Sequence, residues 1–136
     1  MDIITQLIRD EGKKNFPYAD TVGKLTIGVG RNLIDVGLSD SEVGTLLQND
    51  VAKVTTQVYN KFPWYANLDL VRQGVILNMA FNMGTHGLEG FPLFLRAMAQ
   101  GDWNTAAGEM LDSLWAKQVG DRAIRLAQQI KTGEWV

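Results

Sequence analysis

The chain has 136 residues, 46% of them apolar and 21% charged, with a formal net charge of −2. That length fits one domain able to bury a sizeable core, and the near-neutral balance gives no electrostatic reason to expect nucleic acid as a partner. With no cysteine and a single histidine, His86, disulfides, cysteine-held zinc and any scheme needing two imidazoles are excluded.

Asp2 can cap a first helix whose apolar positions are Ile3, Ile4, Leu7 and Ile8. Glu11 falls seven residues after Ile4 and three after Ile8, so the spacing carries it along that buried stripe rather than onto the wet face. Gly12 is a natural stop. The negative end of the helix dipole and partial desolvation would both oppose ionisation of Glu11, as a general acid requires; the plainer alternative is a glutamate fraying into solvent. This helix is too short and too charged to be the apolar part of a signal peptide, so a protein made in the cytoplasm without a leader is expected.

From Phe16 to Leu33 the period changes. Lys24, Thr26 and Gly28 alternate with Leu25, Ile27 and Val29, the pattern of a half-buried strand after a Val22-Gly23 turn. Alternation puts Thr26 on the face opposite a Leu25/Ile27/Val29 core. Gly28 shares the Thr26 face and leaves room for a ligand, and Asp20 in the preceding turn can reach the same side. Gly28-Val29-Gly30 is not a dinucleotide fingerprint, because no third glycine and no helix follow where one is needed.

Ser39-Asp40-Ser41-Glu42 is a capping box. It opens a helix whose stripe of Val43, Leu46, Leu47, Val51, Val54 and Val58 runs for about four turns to near Lys61, where Phe62-Pro63-Trp64 breaks it. The next helix, roughly Asp69 to Met83, is apolar almost all round and predicts the hub of a bundle. Asn78 and Asn82, four apart within it, are either satisfied core amides or hydrogen-bonding groups lining a cleft. Met83 to Gly90 reads as a loop that leaves His86 exposed. Pro92 opens a helix stopping at Gly101, Asp102 caps the following one, and Asp121 caps the last after a short break beyond Trp115. No apolar run is long enough to span a membrane.

Taken together, Glu11, eight residues, Asp20, five residues and Thr26, followed by Ile27-Gly28-Val29-Gly30, resemble the catalytic segment of phage-type lysozymes, the T-even phage lysozyme family (glycoside hydrolase family 24). Leu77 to Gly84 resembles the family's central helix, Gly90-Phe91 its following turn. Ser113-Leu114-Trp115, Asp121-Arg122-Ala123 and Thr132 to Trp135 resemble its C-terminal block.

The resemblance implies an α+β, mainly α, two-lobed fold in one domain. A β-hairpin-bearing N-terminal lobe of about 12–38 would be joined by a connecting helix of about 39–61 to a helical lobe of about 62–136 plus helix 2–11, with peptidoglycan in the cleft. Glu11 would protonate the glycosidic oxygen, Asp20 orient or deprotonate water, and Thr26 help hold that water. Arg122 would pair with the glutamate, while Phe81, Asn82, Gly28 and Gly30 would support the substrate; on the residues alone Arg122 reads as a surface charge on an amphipathic helix.

Departures from the family pattern are Arg31 for a usual histidine, Asn82 for a usual glutamine, a short segment between Leu33 and Ser39, and a slightly acidic balance where many relatives are basic. A hydroxyl beside the second acid suits an inverting reaction, in which carboxyls roughly 6.5–9.5 Å apart leave room for water; retention would need about 5 Å. Hydrolysis of the β-1,4 bond between N-acetylmuramic acid and N-acetylglucosamine is therefore expected, with a lytic transglycosylase or a non-catalytic wall-binding or assembly module as alternatives. No metal or cofactor is implied. A monomer is expected, acting on the wall in the periplasm after holin-type release or as part of a virion assembly.

Overall fold

The computed structural model describes residues 2–136. Its backbone contacts divide the chain into two compact units, Met1–Leu47 and Gln48–Val136, with the division falling inside one long helix. The architecture is α+β, mainly α, as expected: a small antiparallel sheet lies with α1 in the first unit, and the second is helical. Among the described residues no helix is long and apolar enough to cross a membrane.

The first unit opens with α1, Ile3–Glu11, capped by the Asp2 carboxylate on the Thr5 N–H at 2.8 Å and ended by Gly12. Three strands follow, β1 Lys14–Ala19, β2 Leu25–Gly28 and β3 Arg31–Asn32, in the order β1-β2-β3. Pro17 is tolerated in β1 because β1 is an edge strand, and the register shifts between Lys14 and Tyr18. The turn into β2 forms around Asp20, whose carbonyl accepts the Gly23 N–H at 3.0 Å.

Two expectations about this unit are corrected. Thr26 does not lie opposite a Leu25/Ile27/Val29 core: Thr26 is 3% exposed, whereas Leu25 is 43% exposed and Val29 is also exposed. The reason is lateral. β2 is the central strand, and Thr26 is paired with Tyr18 on one side and Asn32 on the other, so its neighbours enclose it. Nor does α1 bury its stripe: Ile3, Ile4, Leu7, Ile8 and Glu11 are all exposed. Backbone contacts group α1 with the sheet.

Helix α2, Asp40–Lys61, starts on the expected capping box: Ser39 Oγ accepts the Glu42 N–H at 3.2 Å and Glu42 Oε1 accepts the Ser39 N–H at 2.9 Å. Its 22 residues span about 33 Å at 1.5 Å per residue. Only the far end of its apolar stripe is fully covered, at Val58.

In the second unit, a 3₁₀ turn over Pro63–Asn67 leads into α3, Leu70–Leu88, then α4 Pro92–Gln100, α5 Trp103–Leu111, α6 Leu114–Val119 and α7 Asp121–Thr132. Its core gathers Val75, Ile76 and Met79 of α3, Phe94 and Met98 of α4, Met110 of α5 and Ile130 of α7. Alanines at 106, 107, 123 and 127, all buried, let α5 and α7 pack closely. Arg72 ties α3 to α7 by donating to the Ile130 carbonyl at 2.8 Å while lying 4.0 Å from the centroid of the Trp103 ring.

Three further readings change here. The stretch from Met83 to Gly90 is not a loop. The chain breaks at Gly84 (φ 77, ψ 163) and resumes helical geometry to Leu88, because Leu88 is completely buried and anchors that turn; His86 is exposed as expected. The break beyond Trp115 is a separate helix, α6, capped by Ser113 on the Ala116 N–H at 3.0 Å. Asp121 stands inside the first turn of α7, and the N-cap is Gly120.

Candidate active site

Glu11 is the last residue of α1, and its carboxylate lies against the turn between β2 and β3. A Cβ added at Gly30 would stand 3.5 Å from Glu11 Oε2, so a backbone without a side chain meets the acid there. Gly30 has φ +73, a conformation that side-chain-bearing residues resist. Gly28, at φ +69, has open space where a Cβ would be.

Asp20 and Thr26 converge on the main chain of Lys24. Asp20 Oδ1 accepts the Lys24 N–H at 2.7 Å and the Val22 N–H at 3.0 Å. The Lys24 carbonyl accepts the Asp20 N–H at 2.9 Å and the Thr26 hydroxyl at 3.0 Å. Two consequences follow from the donor inventory. The Thr26 hydrogen is committed, so its free lone pair can only accept. Asp20 uses one oxygen on backbone donors, and no hydrogen bond within the described residues occupies the other.

The remaining predicted residues lie in the second unit. Arg122 Nε donates to Asn78 Oδ1 at 2.9 Å, and its Nη2 donates to the Asn78 carbonyl at 3.3 Å. Asn82 Oδ1 accepts the Trp115 indole N–H at 2.8 Å. The two amides of α3 are thus exposed and partnered rather than buried in the core. Phe81 is half-exposed and lines a cavity of about 310 Å³ with Asp50, Lys53, Val54, Gln57, Ala80 and Gly84. A second cavity, about 380 Å³ at the start of α4, contains none of the predicted residues.

Sequence reasoning missed the partnership of Asn78 with Arg122, which spans 44 positions and leaves no local signature. It also missed what Arg31 does. Arg31 Nη1 donates to Glu42 Oε1 at 2.9 Å and to the Gly37 carbonyl at 3.1 Å. The guanidinium bond and the Ser39 N–H hold the Glu42 carboxyl down at about 2, and Glu42 raises Arg31 in turn.

The phage lysozyme family profile matches residues 9–129. Probable T4-type lysozyme 1 of Dictyostelium discoideum is 30% identical over 91% of this chain and 90% of its own length. Probable T4-type lysozyme 2 of the same organism is 28% identical over the same shares. The pre-baseplate central spike protein Gp5 of Enterobacteria phage T4 is 31% identical over 98% of this chain, which corresponds to 28% of that longer protein. The chain therefore belongs to the phage lysozyme family, and lysozyme is the type of function it carries.

Proposed function

We propose that the protein is a muramidase that hydrolyses the β-1,4 bond between N-acetylmuramic acid and N-acetylglucosamine of peptidoglycan with inversion, using Glu11 as general acid. Glu11 delivers its proton to the glycosidic oxygen as the bond to the anomeric carbon breaks. A water on the opposite face of the sugar attacks that carbon and loses its proton to Asp20. Thr26 holds the same water.

The observation that carries this reading is the disposition of the Thr26 hydroxyl. Because it donates to the Lys24 carbonyl, it can only accept from a water, and the free Asp20 oxygen accepts the water's other hydrogen. Both hydrogens fixed, the water directs a lone pair outward, as an attacking nucleophile must. Family membership adds the peptidoglycan substrate. Arg122 acts in this scheme as a cation for the anionic wall, with Asn78 setting the direction of its guanidinium.

Clearing of outer-membrane-stripped bacteria by the wild type, Glu11→Gln and Asp20→Asn tests the scheme, together with proton nuclear magnetic resonance of the first product formed. Loss of clearing in both variants and an initial α anomer are expected. An initial β anomer would mean retention. A 1,6-anhydro product with Asp20→Asn still active would make the protein a lytic transglycosylase, and a wild type that binds the wall without cutting it would make it a binding module.

A further inference from the structure

Strand β3 has only two residues, Arg31 and Asn32, paired to Ile27 and Thr26. So short a ladder fixes the preceding turn weakly, yet that turn ends in Gly30, the residue whose backbone meets the Glu11 carboxylate. One further backbone bond, from the Leu33 N–H to the Leu25 carbonyl at 2.8 Å, extends the pairing, and side chains do the rest. Asn32 Oδ1 accepts the Ile34 and Asp35 N–H groups, both at 2.9 Å, and Lys24 Nζ pairs with Asp35 at 3.1 Å. These bonds shape the segment after β3. The bond that fastens the strand outside the sheet, to helix α2, is made by Arg31, whose Nη1 bridges the Gly37 carbonyl and Glu42 Oε1.

That carboxylate oxygen also closes the capping box of α2 through the Ser39 N–H at 2.9 Å. One oxygen thus serves the helix start and the strand together. We propose that Arg31 is a positioning residue: by clamping β3 to Gly37 and to the capping glutamate of α2, it fixes the turn ending at Gly30 and with it the backbone against which the Glu11 carboxylate rests. This rests on the reading of Glu11 as the general acid, although the clamp itself does not. The pair is partly solvent-exposed, 37% and 41% by side chain, so its contribution is to geometry rather than to global stability. Glu42 stays ionised well into acid, which keeps the clamp closed across the working range of a glycosidase.

The test compares the full chain with Arg31→Met, Glu42→Gln, the two combined, and the reversed pair Arg31→Glu with Glu42→Arg. Gln at position 42 keeps an oxygen for the Ser39 N–H, so the helix cap survives while the charge goes. Three quantities are read: the Gly30 amide chemical shift, the kcat and KM on soluble wall fragments, and the thermal midpoint. Arg31→Met should move the Gly30 amide and lower kcat about ten- to a hundredfold, with KM within about twofold, as a small misplacement of a catalytic group does. Glu42→Gln should do less, the combination no more than Arg31→Met alone, and the reversed pair, in which a glutamate at 31 cannot donate to the Gly37 carbonyl and an arginine at 42 cannot accept the Ser39 N–H, should recover none of the rate. A Gly30 amide that does not move in folded Arg31→Met would overturn the clamp, as would a loss of rate that merely follows the unfolded fraction. An inactive wild type would instead sink the muramidase reading and leave the Gly30 shift to decide the clamp.

Discussion

Thr26→Val separates a structural role for the Thr26 hydroxyl from a chemical one. The bond it makes to the Lys24 carbonyl would ordinarily contribute about 1 kcal/mol net. Here the loss falls at the low end, because the Lys24 carbonyl keeps the Asp20 N–H at 2.9 Å and is not left unpaired. Against that loss, a methyl in place of a hydroxyl at a position only 3% exposed gains up to about 0.8 kcal/mol of burial. The two nearly cancel, so stability should change by less than about 1 kcal/mol and the thermal midpoint by less than about 5 °C. Catalysis has no such compensation, since valine offers no lone pair to the attacking water, and a fall of about a hundredfold or more in kcat is expected. Calorimetry and initial clearing rates on the same preparation measure both. A midpoint lowered by about 10 °C or more would show that the hydroxyl holds the sheet together. A stable variant within about threefold of wild-type rate would remove Thr26 from the reaction.

Leu88→Ala should destabilise the protein by about 2–5 kcal/mol, because Leu88 is completely buried, while His86→Ala two positions away should stay within about 0.5 kcal/mol; denaturant titration distinguishes an anchored turn from a loop. Gly30→Ala combines a φ of +73 with a methyl 3.5 Å from Glu11 Oε2. It should cost about 1–2 kcal/mol of backbone strain and lower kcat more than KM. Acid unfolding carries a third signature. Glu42 is depressed from its usual 4.5 to about 2, so its stabilisation is complete above pH 4.5 and is lost as the pH falls through about 2. Glu42→Gln should flatten that part of the stability profile by lowering stability at neutral pH by the same small amount, so that variant and wild type converge near pH 2.

What was legible in the sequence lay within three or four residues along the chain. Asp2 with Thr5, Ser39 with Glu42 and Asp102 with Thr105 are caps whose partners are local, and each forms where expected. Asp20 and Thr26 stood out only through the family resemblance, and their meeting at Lys24 had no signal at all, because it depends on a turn that folds the backbone back on itself. The face of β2 was misread because period-2 alternation says which residues share a side and not which side is covered. The continuation of α3 past Gly84 was hidden for a related reason: a glycine-rich run looks like a loop, and only tertiary burial of Leu88 overrides that. Arg122 with Asn78 and Trp115 with Asn82, 44 and 33 positions apart, lie beyond any pattern a single sequence displays.

The Lys24 main chain carries a consequence for how this site tolerates change. Asp20 and Thr26 both grip atoms common to every residue type but proline, the N–H and the carbonyl at position 24. The pair proposed to handle the water is therefore held independently of the side chain there, and whatever moves that backbone moves both groups in step. Position 24 also sets local charge, its ammonium tethered to Asp35, so exchanging that side chain loosens the segment after β3 while both backbone grips stay in place. Proline alone is barred, having no N–H to offer the carboxylate.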